Sequence, residues 1–311
     1  EIPYFDIKQQ QLWIERLIKT KSTQKDLIFE IETQQKLLKK LRQAILQEAI
    51  EGKLTTFWRK QNPNIESANM LLEKMKAEKE QLVKEKKIKN QKPIPAIIEN
   101  ELPFDIPDSW KFCRWEELLS FEQHCMKRGP FGSALTKDIF VKEGIKVYEQ
   151  QNAIHSVDRE RYFITEEKFK EMEAFSVKPF DLIVSCSGAT LGRISELHEH
   201  SKIGIINQAL LKINLNNKLI SNSFFIKIFR SSFFQDLILT KAWGSAMPNM
   251  VGVKELKKLL LPLPPLEEQN KILQTLEYSF KVCDELETTI NSSKINSELL
   301  VSAVLKEASE K

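Results

Sequence analysis

Two glycine-punctuated segments hold the side chains best suited to chemistry. Lys127-Arg128-Gly129-Pro130-Phe131-Gly132-Ser133 sets two cations beside glycines that permit close backbone approach. Such a turn suits contacts to phosphate, and a plain surface loop fits the same residues. Ser185-Cys186-Ser187-Gly188-Ala189-Thr190-Leu191-Gly192-Arg193 follows an apolar run. Its small polar residues and Arg193 suit base edges or a phosphate. It lacks the lysine of a nucleotide-binding phosphate loop and is not a Gly-x-Ser-x-Gly nucleophile elbow. Cys186 reads as a buried strand residue in preference to a nucleophile. Trp243-Gly244-Ser245-Ala246-Met247-Pro248-Asn249-Met250 reads either as a loop lining a groove or as a domain-closing turn.

Metal and hydrolytic chemistry find little support. His198 and His200 sit two apart, and no Cys or third His has ligand spacing to them. His124 and Cys125 are adjacent, and neighbours on a regular element do not face one centre. Pro179-Phe180-Asp181 with a distant Glu-x-Lys can be forced into a nuclease pattern, but nothing fixes the spacing. Asn62-Pro63-Asn64-Ile65 fails the adenine-methyltransferase pattern at the second proline. No catalytic constellation emerges.

The elements that would position these segments are announced by an internal repeat. Pro262-Leu263-Pro264-Pro265-Leu266-Glu267-Glu268-Gln269 restates Pro3-Tyr4-Phe5-Asp6-Ile7-Lys8-Gln9-Gln10 at an offset of 259 residues. The match continues without a gap: Leu17 with Leu276, Leu27 with Leu286, Ile31 with Ile290, Leu41 with Leu300, and Ala44-Ile45-Leu46 with Ala303-Val304-Leu305. Apolar residues recur at alternating steps of four and three in both copies. They are Leu27, Ile31, Leu38, Leu41 and Ile45, with Gln34 in a weak slot. In the second copy they are Leu276, Cys283, Leu286, Ile290, Leu300 and Val304, with Ser279, Ser293 and Ser297 in weak slots. This spacing predicts a coiled-coil seam, and two matched seams in one chain most simply pack on each other. The second copy follows a globular stretch and the first does not. A first globular domain is therefore expected to be missing, through fragmentation, processing or a gene break.

Between the copies the chain divides at changes of composition. Residues 9 to 51 predict one helix, about 60 Å long, ended by Gly52. Residues 66 to 90 predict a second helix. Eight lysines against four glutamates between Glu73 and Lys92 make it a solvated face or a basic strut beside a phosphate backbone. Lys92-Pro93-Ile94-Pro95 opens a linker, and Pro103 and Pro107 suggest an extended entry that pins Trp110 into a core. Strands are expected at 139–141, 145–148, 203–206 and 209–213, and 176–185 reads as a turn feeding a buried strand. A helix is expected at 224–239, with Phe225, Ile228, Phe229, Phe233 and Leu237 on its apolar side. The expected class is α+β, in four parts: 1–53, 54–100, 101–262 and 263–311.

Composition bounds the partners. Of 311 residues, 41% are hydrophobic, and 47 Lys and Arg against 43 Asp and Glu give a net charge of +4. That permits a nucleic-acid partner without requiring one. The four cysteines form no Cys-x-x-Cys pair, which fits a reducing cytoplasm. No apolar run approaches the eighteen or so residues of a membrane span, and no signal peptide is evident.

Taken in order, these segments resemble the specificity subunit of type I restriction-modification systems. The resemblance is carried by Gly129-Pro130-Phe131-Gly132-Ser133, Ser187-Gly188-Ala189-Thr190-Leu191-Gly192, Ile206-Asn207-Gln208 and Gly244-Ser245-Ala246-Met247-Pro248-Asn249. Leu263-Pro264-Pro265-Leu266-Glu267-Glu268-Gln269 and the run from Leu41 to Leu54 extend it over nearly the whole chain. It implies a mixed α/β target-recognition domain and two long helices packed as an antiparallel coiled coil. It also implies a non-catalytic subunit that reads one half of a split word in double-stranded DNA. Only one recognition domain is present, the second of the family's two, so two chains would have to pair to read both halves. Methyltransferase subunits using S-adenosylmethionine would dock on the helices. Restriction subunits using ATP and Mg would join the complex, and this chain itself would carry no cofactor. The expected phosphate or base contacts are Lys127, Arg128, Lys137, Arg159, Arg161, Arg193 and Lys241, with Gly129 allowing close approach. Gln151, Asn152 and Asn249 are expected at base edges. The rival expectations are a coiled-coil adaptor without DNA binding and a metal-dependent nuclease in the 112 to 262 stretch.

Overall fold

The computed structural model describes residues 6–90, 93–131, 134–239 and 249–309. The repeat lead-in at Pro3, the helix breaker at Lys92, Lys241 and the Trp243-to-Pro248 loop lie outside them. The described chain forms two compact units.

One unit comprises Glu1–Ile45 and Thr275–Lys311 and is built from two long antiparallel helices. These are α1 (Ile7–Ile50) and α9 (Leu266–Ser309), each 44 residues. Four cross-links fix the antiparallel order. Arg16 pairs with Glu307 at 2.8 Å, and Gln24 donates to the Ser297 carbonyl at 2.9 Å. Gln35 donates to Asn291 at 3.3 Å, and Arg42 reaches Asp284 at 2.6 Å and Glu287 at 3.1 Å. Ile31 and Leu38 are buried on α1, with Ile45 half-buried. On α9, Leu276, Cys283, Ser297 and Val304 are buried, with Ile290 half-buried.

The seam differs from expectation in its alternate slots. Leu27 (39% exposed) and Leu41 (44%) turn outward, as do Leu286 (46%) and Leu300 (36%). On α1 the inward places fall one residue later, at Ile28, Gln35 and Arg42, and the last two hydrogen-bond across the seam. A long polar side chain can snorkel from such a place and keep its head wet, so the interface tolerates it. The helix pair is therefore held by apolar rungs with polar ones at Gln35 and Arg42 among them.

The other unit, Leu46–Gln274, contains the sheets. It begins where α1 ends. Lys53 N–H donates to the Glu48 carbonyl and Gly52 N–H to that of Ala49, the paired bonds of a Schellman stop. Gly52 has φ +73°, and a Cβ there would lie 2.6 Å from Pro107 Cγ, so both conformation and space demand glycine. A short helix not foreseen from sequence follows, α2 (Thr56–Gln61), and then α3 (Ala68–Lys84), capped by Ser67. The second predicted helix is thus shorter than 66–90. It ends at a left-handed Lys86 (φ 58°), ahead of the proline.

The remaining elements are β1 (Lys111–Arg114), β2 (Met126–Arg128), β3 (Ile145–Tyr148), α4 (Gln150–Ile154), β4 (Tyr162–Ile164) and α5 (Glu166–Glu171). They continue with β5 (Ser176–Val177), β6 (Leu182–Ser185), β7 (Ile194–Glu196), β8 (Gly204–Ile206) and β9 (Leu210–Ile213). After these come α6 (Asn222–Arg230), α7 (Ser232–Leu239), α8 (Val253–Leu256) and β10 (Leu260–Leu263). One sheet runs β2-β9-β6-β7, all antiparallel. Another runs β4-β3-β8-β5, with β3 and β8 parallel, and β1 pairs with β10 in a third. Tyr148, Ile206, Ile183, Leu210 and Leu197 share the buried cluster that joins the two larger sheets. The mixture of sheets and helices is α+β, as expected.

Two expectations fail for local reasons. Ile139-Phe140-Val141 is not a strand. Ile139 closes a 3₁₀ turn, Lys137–Ile139, and only Val141 bridges Phe163. Phe140 instead stacks on Tyr162 at 4.4 Å, so these apolar residues anchor a loop. The single helix at 224–239 is two, broken at Ser231. Its hydroxyl donates to the Ile228 carbonyl at 2.6 Å and accepts from Phe234 N–H at 3.3 Å. The break shifts the inward face, so Phe234 and Ile238 are buried in place of Phe233 and Leu237. Phe225, Phe229 and Phe234 surround Trp115 with ring centroids 5.2, 6.1 and 5.3 Å away.

Trp110 enters the core as Pro107 and Pro103 suggested, and is 3% exposed. Its indole N–H donates to Glu268 at 2.8 Å. The other oxygen of this fully buried carboxylate accepts from Thr55 at 2.6 Å and lies 3.3 Å from Arg59. Gln269 donates to the Leu219 and Pro264 carbonyls and accepts from Ser221 N–H. The Leu-Glu-Glu-Gln text thus supplies two buried polar hubs.

Candidate nucleic-acid interface

Strand direction gathers the candidate residues. In the first sheet β2, β9, β6 and β7 alternate, so the C-terminal ends of β2 and β6 lie with the N-terminal ends of β9 and β7. In the second sheet β3 and β8 end together, beside the start of β4. The short β8–β9 link ties these ends to one another. Arg128, Ser185, Arg193, Tyr148 and Arg161 therefore flank one common edge.

Hydrogen bonds join the loops there. Gly129 N–H donates to the Leu210 carbonyl at 2.8 Å, Asn207 N–H to that of Tyr148 at 2.9 Å, and Cys186 N–H to that of Ala209 at 2.8 Å. A Cβ on Gly129 would lie 1.8 Å from the Asn207 carbonyl oxygen, so only glycine fits. The Ser185-to-Arg193 loop closes on itself: Ser185 N–H donates to the Arg193 carbonyl at 2.8 Å, and Gly192 N–H to that of Ser185 at 2.9 Å. Gln150, not singled out from sequence, braces it by donating to Ser185 Oγ at 3.0 Å and to the Ser187 carbonyl at 2.8 Å. Nothing in the local spacing separates Gln150 from its neighbour Gln151; only the fold does.

The cations lie around this edge. Arg128 donates to Asn249 Oδ1 at 2.8 Å, and Asn249 is bridged to Ser187. Arg159, exposed, donates to Gln151 at 3.4 Å. Arg161, also exposed, lies over the Tyr162 ring at 4.8 Å and 3.9 Å from Glu149. Arg193 is exposed, and together with burial it pushes the Arg230 guanidinium below its ordinary value, burial being the larger cause. Lys127 is half-buried in β2 with its ammonium 4.5 Å from the Phe175 ring. Lys137 sits in its own exposed turn, and Lys241 lies outside the described residues.

Asn152 is a correction. It is 2% exposed, and its amide donates to the carbonyls of Ser156, Val157 and Arg159 at 3.2, 3.3 and 2.7 Å. Its oxygen accepts from Glu149 N–H at 2.8 Å. A side chain so engaged shapes the loop carrying Arg159 and has nothing left for a base edge.

The chemical alternatives fare poorly in this geometry. Burial pushes the Cys186 thiol up to about 12, against a small opposing influence from Arg128, so it stays protonated at neutral pH. Asp181 is 3% exposed and braces a turn, accepting from Lys178 N–H at 3.0 Å and Asn214 at 2.6 Å. Among the described residues, no three or more His, Cys, Asp or Glu side chains group so as to hold a metal ion. Nor is any described helix long and apolar enough to cross a membrane.

Comparison with known proteins agrees with this architecture. Residues 110–293 match the family described as type I restriction modification DNA specificity domain. The chain is 28% identical over 259 residues to the type I restriction enzyme EcoAI specificity subunit of Escherichia coli. It is 30% identical over 261 residues to the EcoEI specificity subunit of the same organism. Each match covers 82% of this chain but 42% of the relative, so the chain spans less than half the length of either. Among solved structures, the HsdS subunit from Thermoanaerobacter tengcongensis matches 99% of this chain and 60% of its own, with a TM-score of 0.51 at 15% identity; this supports the fold. The chain belongs to the type I restriction-modification DNA specificity subunit family, with one recognition domain among its described elements.

Proposed function

We propose that this chain reads one half of a bipartite double-stranded DNA word, using the loops at the common edge of its two larger sheets. The observation that carries the reading is the gathering of Arg128, Arg159, Arg161 and Arg193 with Asn249 and Gln151 on joined loops. Guanidinium groups meet phosphates or the acceptor pair of guanine, and amides match adenine. The half-site chemistry thus needs no catalytic residue from this chain.

The same proposal gives the paired helices to assembly. Methyltransferase subunits carrying S-adenosylmethionine would dock there. Restriction subunits using ATP and Mg would act through that complex in the cytoplasm, and a second specificity domain or a second copy of this chain would read the other half-site. A 44-residue helix is about 66 Å long, between one and two turns of B-DNA, which supports a spacer role.

The test is duplex binding by the full chain across a salt series. Wild type should lose affinity steeply with salt. The Arg128→Ala plus Arg193→Ala variant should flatten the slope by about 2, because each phosphate neutralised by a cation contributes about 0.9 to it. An unchanged slope and affinity would remove these arginines from the interface. No duplex binding at any salt would favour the adaptor reading.

A further inference from the structure

We infer that Phe131 is an apolar wedge that enters the DNA at one base step of the half-site. The inference rests on the DNA-reading proposal and goes beyond it, because arginines and amides account for phosphate and base-edge contacts without any aromatic group.

Three observations carry it. First, Phe131 is 91% exposed, the most exposed large hydrophobic side chain among the described residues. Leaving a phenylalanine in water forgoes about 2 kcal/mol relative to burying it, so a partner surface accounts for it better than the isolated chain does. Second, the chain leading into it is held in place. Gly129 is bonded to Leu210 and fits only without a side chain, Pro130 is buried, and the Phe131 carbonyl accepts from Ala134 N–H at 3.0 Å. With Gly129 and Pro130 fixed just before the ring, less of the chain has to be ordered on binding. Third, the ring follows Arg128 by three residues, and Arg128 is locked to Asn249 at the edge where the other arginines gather. A projecting aromatic ring on the same loop as a phosphate-seeking cation is an arrangement that can anchor to the backbone and insert between bases.

An exposed phenylalanine also suits a protein partner. Lys127 and Arg128, just before it on the same loop, favour the nucleic acid, whose phosphates complement them, and the experiment separates the two.

The probe is a 30-base-pair duplex selected from a randomised pool by the wild-type full chain, with 2-aminopurine placed at each position of the enriched word in turn. Wild type should raise 2-aminopurine fluorescence at one step, reporting local unstacking. Phe131→Ala should abolish that rise and weaken binding by about 5- to 150-fold, the range for removing one stacked aromatic. Its salt slope and melting temperature should stay those of wild type, because the ring touches phosphate no more than it touches the core. Phe131→Trp should keep the fluorescence rise. A Phe131→Ala variant that keeps both the rise and wild-type affinity overturns the wedge while leaving the DNA-reading proposal standing. Failure of wild type to select or bind any duplex overturns both, and would point the ring at a protein.

Discussion

Arg128 and Asn249 stand 121 positions apart in the chain and meet at 2.8 Å, guanidinium to amide oxygen. Among the described residues, the bond leaves the Asn249 amide N–H groups and the rest of the guanidinium fork for a ligand. It also couples the two: each fixes the other's rotamer. Asn249→Ala should therefore cost more than one base contact. We expect relaxed sequence preference at one position, worth about 1–3 kcal/mol, together with a weaker phosphate contact by Arg128. Binding to duplexes differing at single positions checks this. An Asn249→Ala variant with unchanged preference at every position would show that the pair serves only the fold.

Glu268 is the polar hub of the sheet-bearing unit, fully buried between Thr55, Trp110 and Arg59. Glu268→Ala strips a carboxylate from a half-buried guanidinium and orphans two buried donors. The expected loss is about 3 kcal/mol, read by urea denaturation. Adding Arg59→Met to Glu268→Ala should recover part of it, since the uncompensated charge goes too.

Ser297 lies in the helix seam at 2% exposure, and its hydroxyl finds no partner among the described residues. Ser297→Ala should stabilise the helical pair by about 1 kcal/mol by removing an unsatisfied hydroxyl. A rise of a few degrees in thermal melting is the expected readout. A fall would mean that the hydroxyl is bonded in solution.

Asp181 supplies a pH signature. Burial raises its carboxyl above the ordinary 3.8, only partly opposed by the Lys178 N–H and Asn214. With the folded value above the unfolded one, the favourable contribution is complete below about 3.8 and fades as pH rises through the folded value. The stability of wild type relative to Asp181→Asn should therefore decline on going upward from pH 4. The measurement is paired urea titrations at several pH values, and a difference that stays flat would refute the assignment.

Much of this arrangement is legible in the residues, and the misses have physical causes. The repeat announces both long helices because apolar spacing at 3.5 residues is a local signal, and Gly52 ends the first where it should. The seam departs from expectation at Leu27 and Leu41 because leucine is apolar wherever it points. The inward places lie one residue on, at Ile28 and Arg42, and Arg42 reaches across with a polar head, which a count of apolar residues does not register. Ser231 breaks a helix by capping both sides, a role a serine shows only in three dimensions. For the candidate interface, residue types draw attention to Arg128, Arg193 and Asn249, but strand order brings them together. Asn152 and Gln150 gain their roles for the same reason: each braces a loop through partners that only the fold brings near, Ser185 and Ser187 for Gln150 and the 156–159 carbonyls for Asn152.

Selection from a pool of randomised duplexes by the full chain tests the central claim most directly. The account predicts enrichment of one short contiguous word, with affinity that falls steeply as salt rises. It further predicts loss of that word, though not of folding, in the Arg128→Ala plus Asn249→Ala variant. A pool that returns no word, or a word enriched equally by the variant, would contradict sequence reading by these loops.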